Sequence, residues 1–253
     1  MYLLTRGDRA FTCEPGDEVH TDLGVIEVPE DVASGDVLET HLGEPFAVRA
    51  MRGPDRFDHL ERTGAPMLPR DVGLVLGLTG AGAGDRVLDA GTGSGILATA
   101  LGDVGATVHT YEVDPGFAAT ARENVERAGV ADRVDVRTGD VTEAADDLAA
   151  AIQAGETAPY DVLTLDTGDA PAVVERAPAL LAPGGYVAAY TPFVEGTRAV
   201  HEAAVEAGLA EVRTLETVQR EMDFDERGSR PSTAGVGHSG YLTVARSVPD
   251  VEE

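Results

Sequence analysis

The stretch Arg86-Val87-Leu88-Asp89-Ala90-Gly91-Thr92-Gly93-Ser94-Gly95 decides the fold of this chain. A short apolar run ends at Asp89, and three glycines at alternate positions follow it directly. Apolar residues then predict a helix that opens at Gly95 and continues to Leu101. Glycine lets the backbone turn sharply and lets a ligand approach without meeting a Cβ atom. A strand, a glycine turn and a helix in this order predict the first unit of a ligand-binding α/β sheet.

Strands and helices continue to alternate from about Asp71 onward, which predicts a mostly parallel sheet with helices on both faces. The predicted strands are 86–89, 107–113, 133–138, 160–166 and 186–190. The predicted helices are 71–78 (with Asp71 as its N-cap), 95–101, 115–129, one ending near 154, 171–181 and 195–208. Segments 212–222 and 241–245 predict a closing antiparallel pair, and 248–253 predicts a frayed tail. Ligands of such sheets bind beyond the carboxyl ends of the strands.

The first sixty residues differ from the rest, because short apolar runs there are punctuated by Gly, Asp and Pro. Examples are Val19-His20-Thr21, Gly24-Val25-Ile26-Glu27-Val28 and Pro45-Phe46-Ala47-Val48-Arg49. They predict a small β-rich domain with tight turns, whose boundary falls near Arg52-Gly53-Pro54-Asp55. We therefore predict an α/β protein with a β-rich domain at 1–62 and a Rossmann-like domain at 63–253.

The charge balance is strongly acidic, with 45 Asp and Glu against 19 basic residues, and the sequence contains no lysine. A net charge of -26 repels itself in dilute buffer, whereas a Debye length of about 3 Å at 1 M salt screens that repulsion. We predict a salt-adapted intracellular protein, with an ordinary acidic protein as the alternative. Acidic chains usually bind nucleic acid poorly, but counterion release contributes little at molar salt, so an RNA substrate is not excluded.

Cys13 is the only cysteine, which excludes disulfides within the chain and cysteine-based metal clusters. No metal site is predicted. The sequence has neither an apolar run of membrane-spanning length nor a signal peptide at its start, so we expect a cytoplasmic protein.

The spacing of the turn is G-x-G-x-G, because Ile96 stands where a dinucleotide fingerprint has its third glycine. A dinucleotide enzyme needs that spacing to hold a pyrophosphate at a helix N-terminus. S-adenosylmethionine has no phosphate and carries a sulfonium cation, which suits an acid such as Asp89 at the strand end. The alternative is that the turn is merely a tight connection.

Two further carboxylates end the next two predicted strands. Glu112 is placed to accept hydrogen bonds from both ribose hydroxyls, and Asp140, after Gly139, is placed to bond an adenine amino group. The alternatives are a solvated carboxylate at Glu112 and ordinary turn chemistry at Asp140. The candidate cofactor-binding residues are Asp89, Gly91, Thr92, Gly93, Ser94, Gly95, Ile96, Glu112, Val113, Phe117, Gly139, Asp140 and Asp166.

Asp166 ends the fourth strand in Leu165-Asp166-Thr167-Gly168-Asp169-Ala170-Pro171, at the usual catalytic corner of such sheets. The segment is not the Asn/Asp-Pro-Pro-aromatic signature of amino-directed adenine methyltransferases, and it lacks an aromatic residue to stack on a flipped base. Asp166 is the candidate catalytic residue. The alternative for Asp166, and the favoured interpretation of Asp169, is an N-cap of the next helix.

These motifs and their flanks resemble the archaeal form of the tRNA (adenine-N1)-methyltransferases that modify the T-loop, over nearly the whole chain. Gly64-Ala65-Pro66-Met67-Leu68-Pro69-Arg70-Asp71 is similar to the family segment that ends in Tyr-Pro-Lys-Asp. Arg230-Pro231 and Gly237-His238-Ser239-Gly240-Tyr241-Leu242 are similar to its closing Gly-His-Thr-Gly-Phe/Tyr-Leu. The central motifs are generic to methyltransferases, whereas these two flanks are specific.

The resemblance implies a small N-terminal β domain, a class I methyltransferase domain, S-adenosylmethionine as cofactor, a tRNA substrate and a homotetramer. It implies that Asp166 is the catalytic carboxylate for transfer to N1 of an adenine in the 57/58 region, and that Glu112 and Asp140 hold the cofactor. The candidate substrate-binding residues are Met67, Arg70, Arg230 and His238. Leu68 departs from the family tyrosine near the base, Arg70 replaces its lysine, and a structural role is the alternative for His238.

Two other functions remain open at this stage. A class I methyltransferase for another substrate, such as a corrinoid precursor or protein isoaspartate, shares the core motifs but does not require the N-terminal domain or the Gly-His-Ser-Gly ending. A non-catalytic RNA-binding partner subunit is the second alternative. Such subunits often lose cofactor residues, whereas this chain keeps the glycines, Glu112 and Asp140.

Overall fold

The N-terminal region forms the predicted β-rich domain. The computed structural model describes residues 1–235 and 237–248 of the chain. A four-stranded antiparallel sheet has the order β2-β1-β6-β5, and β3 and β4 form a separate hairpin. The strands are β1 (Tyr2–Arg6), β2 (Arg9–Cys13), β3 (Glu18–Thr21), β4 (Gly24–Glu27), β5 (Val37–Glu39) and β6 (Pro45–Ala50). Alternate residues such as Leu4, Phe46 and Val48 pack with Ile26 into one small core.

A short helix, α1 (Gly53–His59), occupies the predicted boundary. Its start is fixed by Asp55, whose carboxylate accepts a hydrogen bond from the Arg52 backbone N–H at 2.9 Å and pairs with Arg49 at 2.8 Å. The chain then runs through residues 60–68, which have no regular structure, to α2 (Pro69–Thr79). The prediction that Asp71 is the N-cap of α2 is wrong. The N-cap is Leu68, because Pro69 already supplies the first helical residue.

The larger domain is built on a seven-stranded sheet with the order β12-β15-β11-β10-β7-β8-β9. Strands β11, β10, β7, β8 and β9 are parallel, and β15 pairs antiparallel with both β11 and β12. The strands are β7 (Arg86–Ala90), β8 (Thr107–Glu112), β9 (Val134–Thr138), β10 (Tyr160–Leu165), β11 (Leu181–Thr191), β12 (Ala210–Glu216) and β15 (Tyr241–Arg246). The chain leaves β7 toward β8 on one side and returns to β10 on the other, so the crevice between the ends of β7 and β10 is the ligand-binding position of such sheets.

Helices cover both faces of this sheet, as predicted. Val87 and Val108 point to a core shared with α2, α3 and α4, whereas Leu88 and Leu163 point to a core shared with α5, α6, α7 and α8. The remaining helices are α3 (Ile96–Asp103), α4 (Pro115–Arg127), α5 (Val141–Gln153), α6 (Ala170–Glu175), α7 (Ala177–Leu180) and α8 (Val194–Glu206). No helix within 1–235 and 237–248 is long and apolar enough to cross a membrane.

Two predicted elements differ from the structure. The helix predicted at 171–181 is divided into α6 and α7, because Pro178 has no N–H to continue the ladder. The strand predicted at 212–222 ends at Glu216, and the chain beyond it forms the hairpin β13 (Met222–Asp225) and β14 (Gly228–Pro231). The predicted pairing of this region with 241–245 is confirmed for β12 and β15. The predicted frayed tail lies, after Val248, outside the described residues.

Candidate functional site

Two cavities meet at Asp166, at the carboxyl ends of the parallel strands. The first cavity has a volume of about 300 Å³ and is lined by Thr63, Gly64, Ala65, Gly91, Gly93, Tyr111, Glu112, Val113, Phe117, Gly139, Asp140, Val141, Asp166, Thr167 and Asp169. The second has a volume of about 550 Å³ and is lined by Asp166, Thr167, Gly168, Pro171, Tyr190, Thr191, Pro192, Phe193, Glu195 and Gly196. Asp166 and Thr167 therefore face both spaces.

The glycine turn touches the loop that carries Asp166. Gly91 has a φ of +81°, and a Cβ atom there would lie 2.0 Å from the Asp166 carbonyl oxygen. The Asp166 backbone N–H donates to the Ala90 carbonyl at 2.8 Å, one residue earlier. No side chain fits between the two segments, so the glycine is required by contact within the protein as well as by the backbone conformation.

The Glu112 carboxylate is held in place by the turn itself. Its Oε2 accepts a hydrogen bond from the Gly93 N–H at 2.8 Å, and its Oε1 accepts one from the Asp114 N–H at 3.0 Å. The residue is 7% exposed and lines the first cavity. A carboxylate has about four acceptor positions, so each oxygen retains capacity for one ligand hydroxyl.

Asp140 has a local structural role and also a position at the first cavity, the two alternatives that the sequence left open. It is the N-cap of α5, and its Oδ1 accepts hydrogen bonds from the Thr142 N–H and hydroxyl, both at 2.7 Å. These hydrogen bonds lower the pKa of the Asp140 carboxyl, so it is ionised at neutral pH. Because the residue also lines the first cavity, capping and ligand contact are compatible.

Asp89 lies beneath the turn and does not line either cavity. Its two carboxylate oxygens accept hydrogen bonds from the Thr110 and Thr164 hydroxyls, both at 2.5 Å, and Thr110 also bonds Thr92. Burial raises the pKa of the Asp89 carboxyl above its usual range. The side chain therefore ties β7 to β8 and β10, and the predicted direct contact of Asp89 with the cofactor stays a prediction.

The Asp166 carboxyl is the unusual titratable group at the junction. Burial, and secondarily the charge of Asp89, raise its pKa to about 7. The N-cap of α6 is Asp169, so the capping alternative does not apply to Asp166. Asp169 occupies the cap position without a side-chain capping hydrogen bond, and it lines the first cavity. A carboxyl that titrates near neutrality between two cavities is typical of a functional site.

The second cavity is bounded by aromatic residues at the end of β11. Tyr190 is 8% exposed and Phe193 is 71% exposed, so one side chain forms a wall and the other a rim. The Tyr190 hydroxyl donates to Asp71 Oδ2 at 3.4 Å. A Cβ atom on Gly240 would lie 2.5 Å from the Tyr190 ring, so that segment packs directly against it.

The two flanks of the sequence meet behind Tyr190. The Ser239 hydroxyl donates to Asp71 Oδ2 at 2.9 Å and accepts a hydrogen bond from Arg70 Nη2 at 2.8 Å. Arg70 Nε also lies 3.7 Å from Asp71 Oδ2. Side chains from the start of α2 and from the segment before β15 thus form one network that supports the wall of the second cavity.

Comparison with known proteins gives the family. Residues 67–229 match the family described as the tRNA methyltransferase complex GCD14 subunit. The tRNA (adenine(57)-N(1)/adenine(58)-N(1))-methyltransferase TrmI of Methanocaldococcus jannaschii is 32% identical over 268 aligned residues, which cover 97% of this chain and 93% of that protein. The chain belongs to the TrmI family of tRNA (adenine-N1)-methyltransferases. The predicted family is thereby confirmed.

Solved structures agree with the predicted fold of this TrmI family member. A tRNA (m1A58) methyltransferase TrmI from Aquifex aeolicus superimposes with a TM-score of 0.73 at 20% identity, covering 98% of this chain and 97% of the other. A SAM-dependent O-methyltransferase from Thermotoga maritima gives a TM-score of 0.78 at 23% identity, covering 100% and 94%. At these identities the likeness shows the fold alone, and the predicted fold class is confirmed.

The predicted cofactor residues of the TrmI fold divide into two groups. The members that line the first cavity are Gly91, Gly93, Glu112, Val113, Phe117, Gly139, Asp140 and Asp166. The members that do not are Asp89, Thr92, Ser94, Gly95 and Ile96. Of these, Thr92 and Ser94 are buried within the turn, and Ile96 packs on the core of α2, α3 and α4.

The predicted substrate residues are spread more widely. Met67 is buried in the core, and Arg70 belongs to the network behind Tyr190. Arg230 lies on β14, pairs with Asp223 at 3.6 Å and does not line either cavity. His238 Nδ1 donates to Glu216 Oε1 at 2.8 Å and its Nε2 donates to the Pro192 carbonyl at 3.2 Å, and these acceptors raise the pKa of its imidazole. His238 therefore fixes the chain that borders the second cavity.

The sequence interpretation missed several residues of the site. Thr63, Gly64 and Ala65 line the first cavity, and none of the three was predicted to bind a ligand. Tyr190 and Phe193 supply the aromatic side chains that the segment after β10 lacks. Tyr190 is the last residue of a predicted strand, so the rule that ligands bind beyond strand ends was a usable signal for it. Gly64 and Ala65 begin the flank that resembles the family, so that resemblance was a usable signal for them.

Proposed function

We propose that this protein transfers a methyl group from S-adenosylmethionine to N1 of an adenine in the T-loop of tRNA, in the 57/58 region. The observation that carries the proposal is the position of Asp166 between the first cavity, which suits the cofactor, and the second, which suits a base. Membership of the TrmI family supports the substrate, because the M. jannaschii relative carries this activity in its name.

The first cavity fits S-adenosylmethionine by its donor set. Its volume of about 300 Å³ lies at the lower end of small-molecule sites. Glu112 would accept hydrogen bonds from the ribose hydroxyls with its remaining acceptor positions, and Asp140 from the adenine amino group. Val113 and Phe117 supply apolar surface for the purine ring. When bound, the cofactor supplies an electrophilic methyl group on a sulfonium cation.

The second cavity would hold the target adenine. Its walls include the Tyr190 and Phe193 rings, which can pack on a purine removed from its contacts in the T-loop. N1 lies on the pairing edge of adenine, so the base must leave those contacts before it can react. Positioning N1 in line with the methyl group accounts for much of the rate in such transfers.

Asp166 would act on the charge that develops in the base. N1 of adenine has a free lone pair, so it needs no deprotonation before it attacks. The ring becomes cationic as the bond forms, and an ionised Asp166 can accept a hydrogen bond from the exocyclic amine and stabilise that charge. A cation in the first cavity favours the ionised form of Asp166, whose pKa is about 7 in the free protein.

We also propose that the protein acts in the cytoplasm as a homotetramer. The hairpin of β13 and β14 has no core of its own, and Phe224 and Met222 are 77% and 48% exposed. Strand β12 is one of the two edge strands of the large sheet, and β9 is the other. Apolar side chains and an unpaired strand edge in one region are features that self-association would cover.

The test is methylation of unmodified tRNA in molar KCl with isotopically labelled S-adenosylmethionine, followed by nucleoside analysis and mapping of the modified position. We expect N1-methyladenosine in the 57/58 region. Calorimetric titration with the cofactor separates the alternatives: binding without tRNA methylation would favour another substrate, and no binding would favour a non-catalytic subunit. Light scattering in the same buffer tests the tetramer.

A further inference from the structure

A buried amide joins two walls of the first cavity. Asn124 lies on the inner face of α4 and is 0% exposed. Its Nδ2 donates to the Ser94 carbonyl in the glycine turn at 2.9 Å and to the Glu61 carbonyl at 2.8 Å. Its Oδ1 accepts a hydrogen bond from the Glu61 N–H at 3.1 Å. Both donors and the acceptor of one side chain are therefore used between two backbone segments.

The two segments continue into different parts of the lining of the first cavity. Ser94 follows Gly93, which lines the cavity and donates to Glu112. Glu61 precedes residues 63–65, which line the cavity from the side of the N-terminal domain. We name residues 61–65 the linker wall. Among the described hydrogen bonds, those from the linker wall to the larger domain all involve Asn124.

The linker wall also lies beside a predicted cofactor residue. Gly64 has a φ of +60°, and a Cβ atom there would lie 3.9 Å from Phe117 Cε2, at the first turn of α4. Phe117 lines the first cavity and is 39% exposed. A shift of the linker wall would therefore change the space beside Phe117 and the distance to the glycine turn together.

We propose that Asn124 is a positioning residue that sets the width of the first cavity by holding the linker wall to the glycine turn. The proposal rests on the proposed function, because it takes the first cavity as the cofactor site. Only an amide both donates to two carbonyls and accepts from an N–H at this position, and losing the donors leaves two buried carbonyls unpaired. Cofactor affinity then depends on Asn124, whereas the methyl-transfer step at saturating cofactor does not.

The decisive variant is Asn124→Asp, which keeps the shape of the side chain but cannot donate when ionised. We expect the Kd for S-adenosylmethionine to rise roughly tenfold, while kcat at saturating cofactor stays within about threefold of wild type. The matched control is Val125→Ala, which shortens a buried core side chain on the same helix and removes no hydrogen bond to the linker wall. We expect this control to lower Tm and leave the Kd unchanged.

A second measurement keeps the test valid if Asn124→Asp does not fold. Hydrogen exchange of wild-type protein should show slow exchange of the Glu61 amide, and slower exchange still with cofactor bound. A Kd for Asn124→Asp within twofold of wild type, a rise that Val125→Ala reproduces, or exchange at Glu61 that is unaffected by cofactor would overturn the proposal. Wild-type protein that does not bind the cofactor would instead refute the proposed function.

Discussion

The first cavity is lined mostly by segments at the ends of parallel strands and is completed by the linker wall. The second is lined by the chain after β10 and at the end of β11, but its wall is supported by parts of the chain that lie far apart in sequence. In the first, the glycine turn follows β7, Glu112 ends β8 and Asp140 follows β9. In the second, Tyr190 is supported by Asp71 from α2 and by Ser239 from the segment before β15. The residues proposed to bind the cofactor therefore come mostly from local motifs, whereas the wall of the proposed substrate cavity depends on contacts between residues far apart in sequence.

Asp166 belongs to both cavities, so its removal gives the largest expected effect. We expect Asp166→Ala to lower single-turnover methylation of tRNA by about 10²–10³-fold, the usual loss for one group that stabilises transition-state charge. Calorimetry should show cofactor binding within a few-fold of wild type. Asp169→Asn is the control, since Asp169 lines only the first cavity. Near-normal turnover of Asp166→Ala would refute the assignment.

Gly91 lies against the backbone of Asp166, the residue that lines both cavities. Gly91→Ala is the second variant. The new Cβ would lie 2.0 Å from the Asp166 carbonyl oxygen at a φ of +81°. We expect cofactor affinity and turnover to fall together, each by roughly a hundredfold, because the two segments must move apart. The measurements are calorimetric Kd and kcat.

Gly129→Ala is the matched control for this strain. Gly129 has a φ of +73°, but nothing lies within 4 Å of a Cβ atom there. Gly129→Ala should lower Tm only because alanine is strained at this positive φ, and it should leave cofactor affinity unchanged. If Gly129→Ala weakens the cofactor as much as Gly91→Ala, the close approach of the turn to Asp166 is not the cause.

The sequence predicted the sheet well because period and turn chemistry are local properties. The strands, the helix that starts at Pro115 and the carboxylates at strand ends all follow from neighbouring residues. The break between α6 and α7 was missed although Pro178 marked it. The hairpin beyond Glu216 was missed although Met222 and Phe224 alternate with acids on β13, because its second strand, Gly228–Pro231, has no such pattern.

Some predicted site residues lie outside the lining of the two cavities, and the cause is different. Asp89 has the expected position at a strand end, and the alternation along the strands directs it to the Thr110 and Thr164 hydroxyls. Met67 and Arg70 were predicted to bind substrate from a motif. Met67 packs in the core. Arg70 bonds Ser239 and also lines a separate cavity beside Leu68 and Gln219, so substrate contact by Arg70 stays a prediction. A motif specifies which residues matter, whereas burial and side-chain direction decide what they do.

Tyr190→Phe tests whether the network behind the second cavity matters to the substrate alone. It removes the hydroxyl that donates to Asp71 while keeping the ring that packs against Gly240. We expect kcat/KM for tRNA to fall about tenfold, the equivalent of one lost hydrogen bond in a buried network. The Kd for the cofactor should not change. Tyr186→Phe on the same strand is the control, and an equal loss there would contradict the assignment.

The raised pKa of Asp166 predicts that both kcat/KM and the stability of the fold depend on pH. Burial raises this pKa to about 7, so the free enzyme should lose kcat/KM about tenfold per pH unit below that value as the carboxylate is protonated. The folded protein also holds a proton that the unfolded chain releases near pH 4, so this group lowers stability as pH rises from about 4 to 7. Asp166→Asn should abolish both slopes, and a pH profile that the variant retains would assign them elsewhere.

The smallest expected effect is that of His238, which does not line the second cavity but bonds the carbonyl of Pro192, which does. Glu216 and the Pro192 carbonyl raise the pKa of its imidazole, so its stabilising contribution is complete below the unfolded pKa of about 6.5 and is lost as pH rises through the folded pKa. We expect His238→Asn to lower Tm by only about 1–2 °C at pH 6, because the His238–Glu216 pair is exposed. The loss should be smaller at pH 8.5, where the imidazole is deprotonated. The KM for tRNA should rise slightly at pH 6 while the cofactor Kd stays constant. His20→Asn, which removes an exposed histidine beside Glu18 in the N-terminal domain, is the control, and an equal rise in KM there would show that the effect does not come through Pro192.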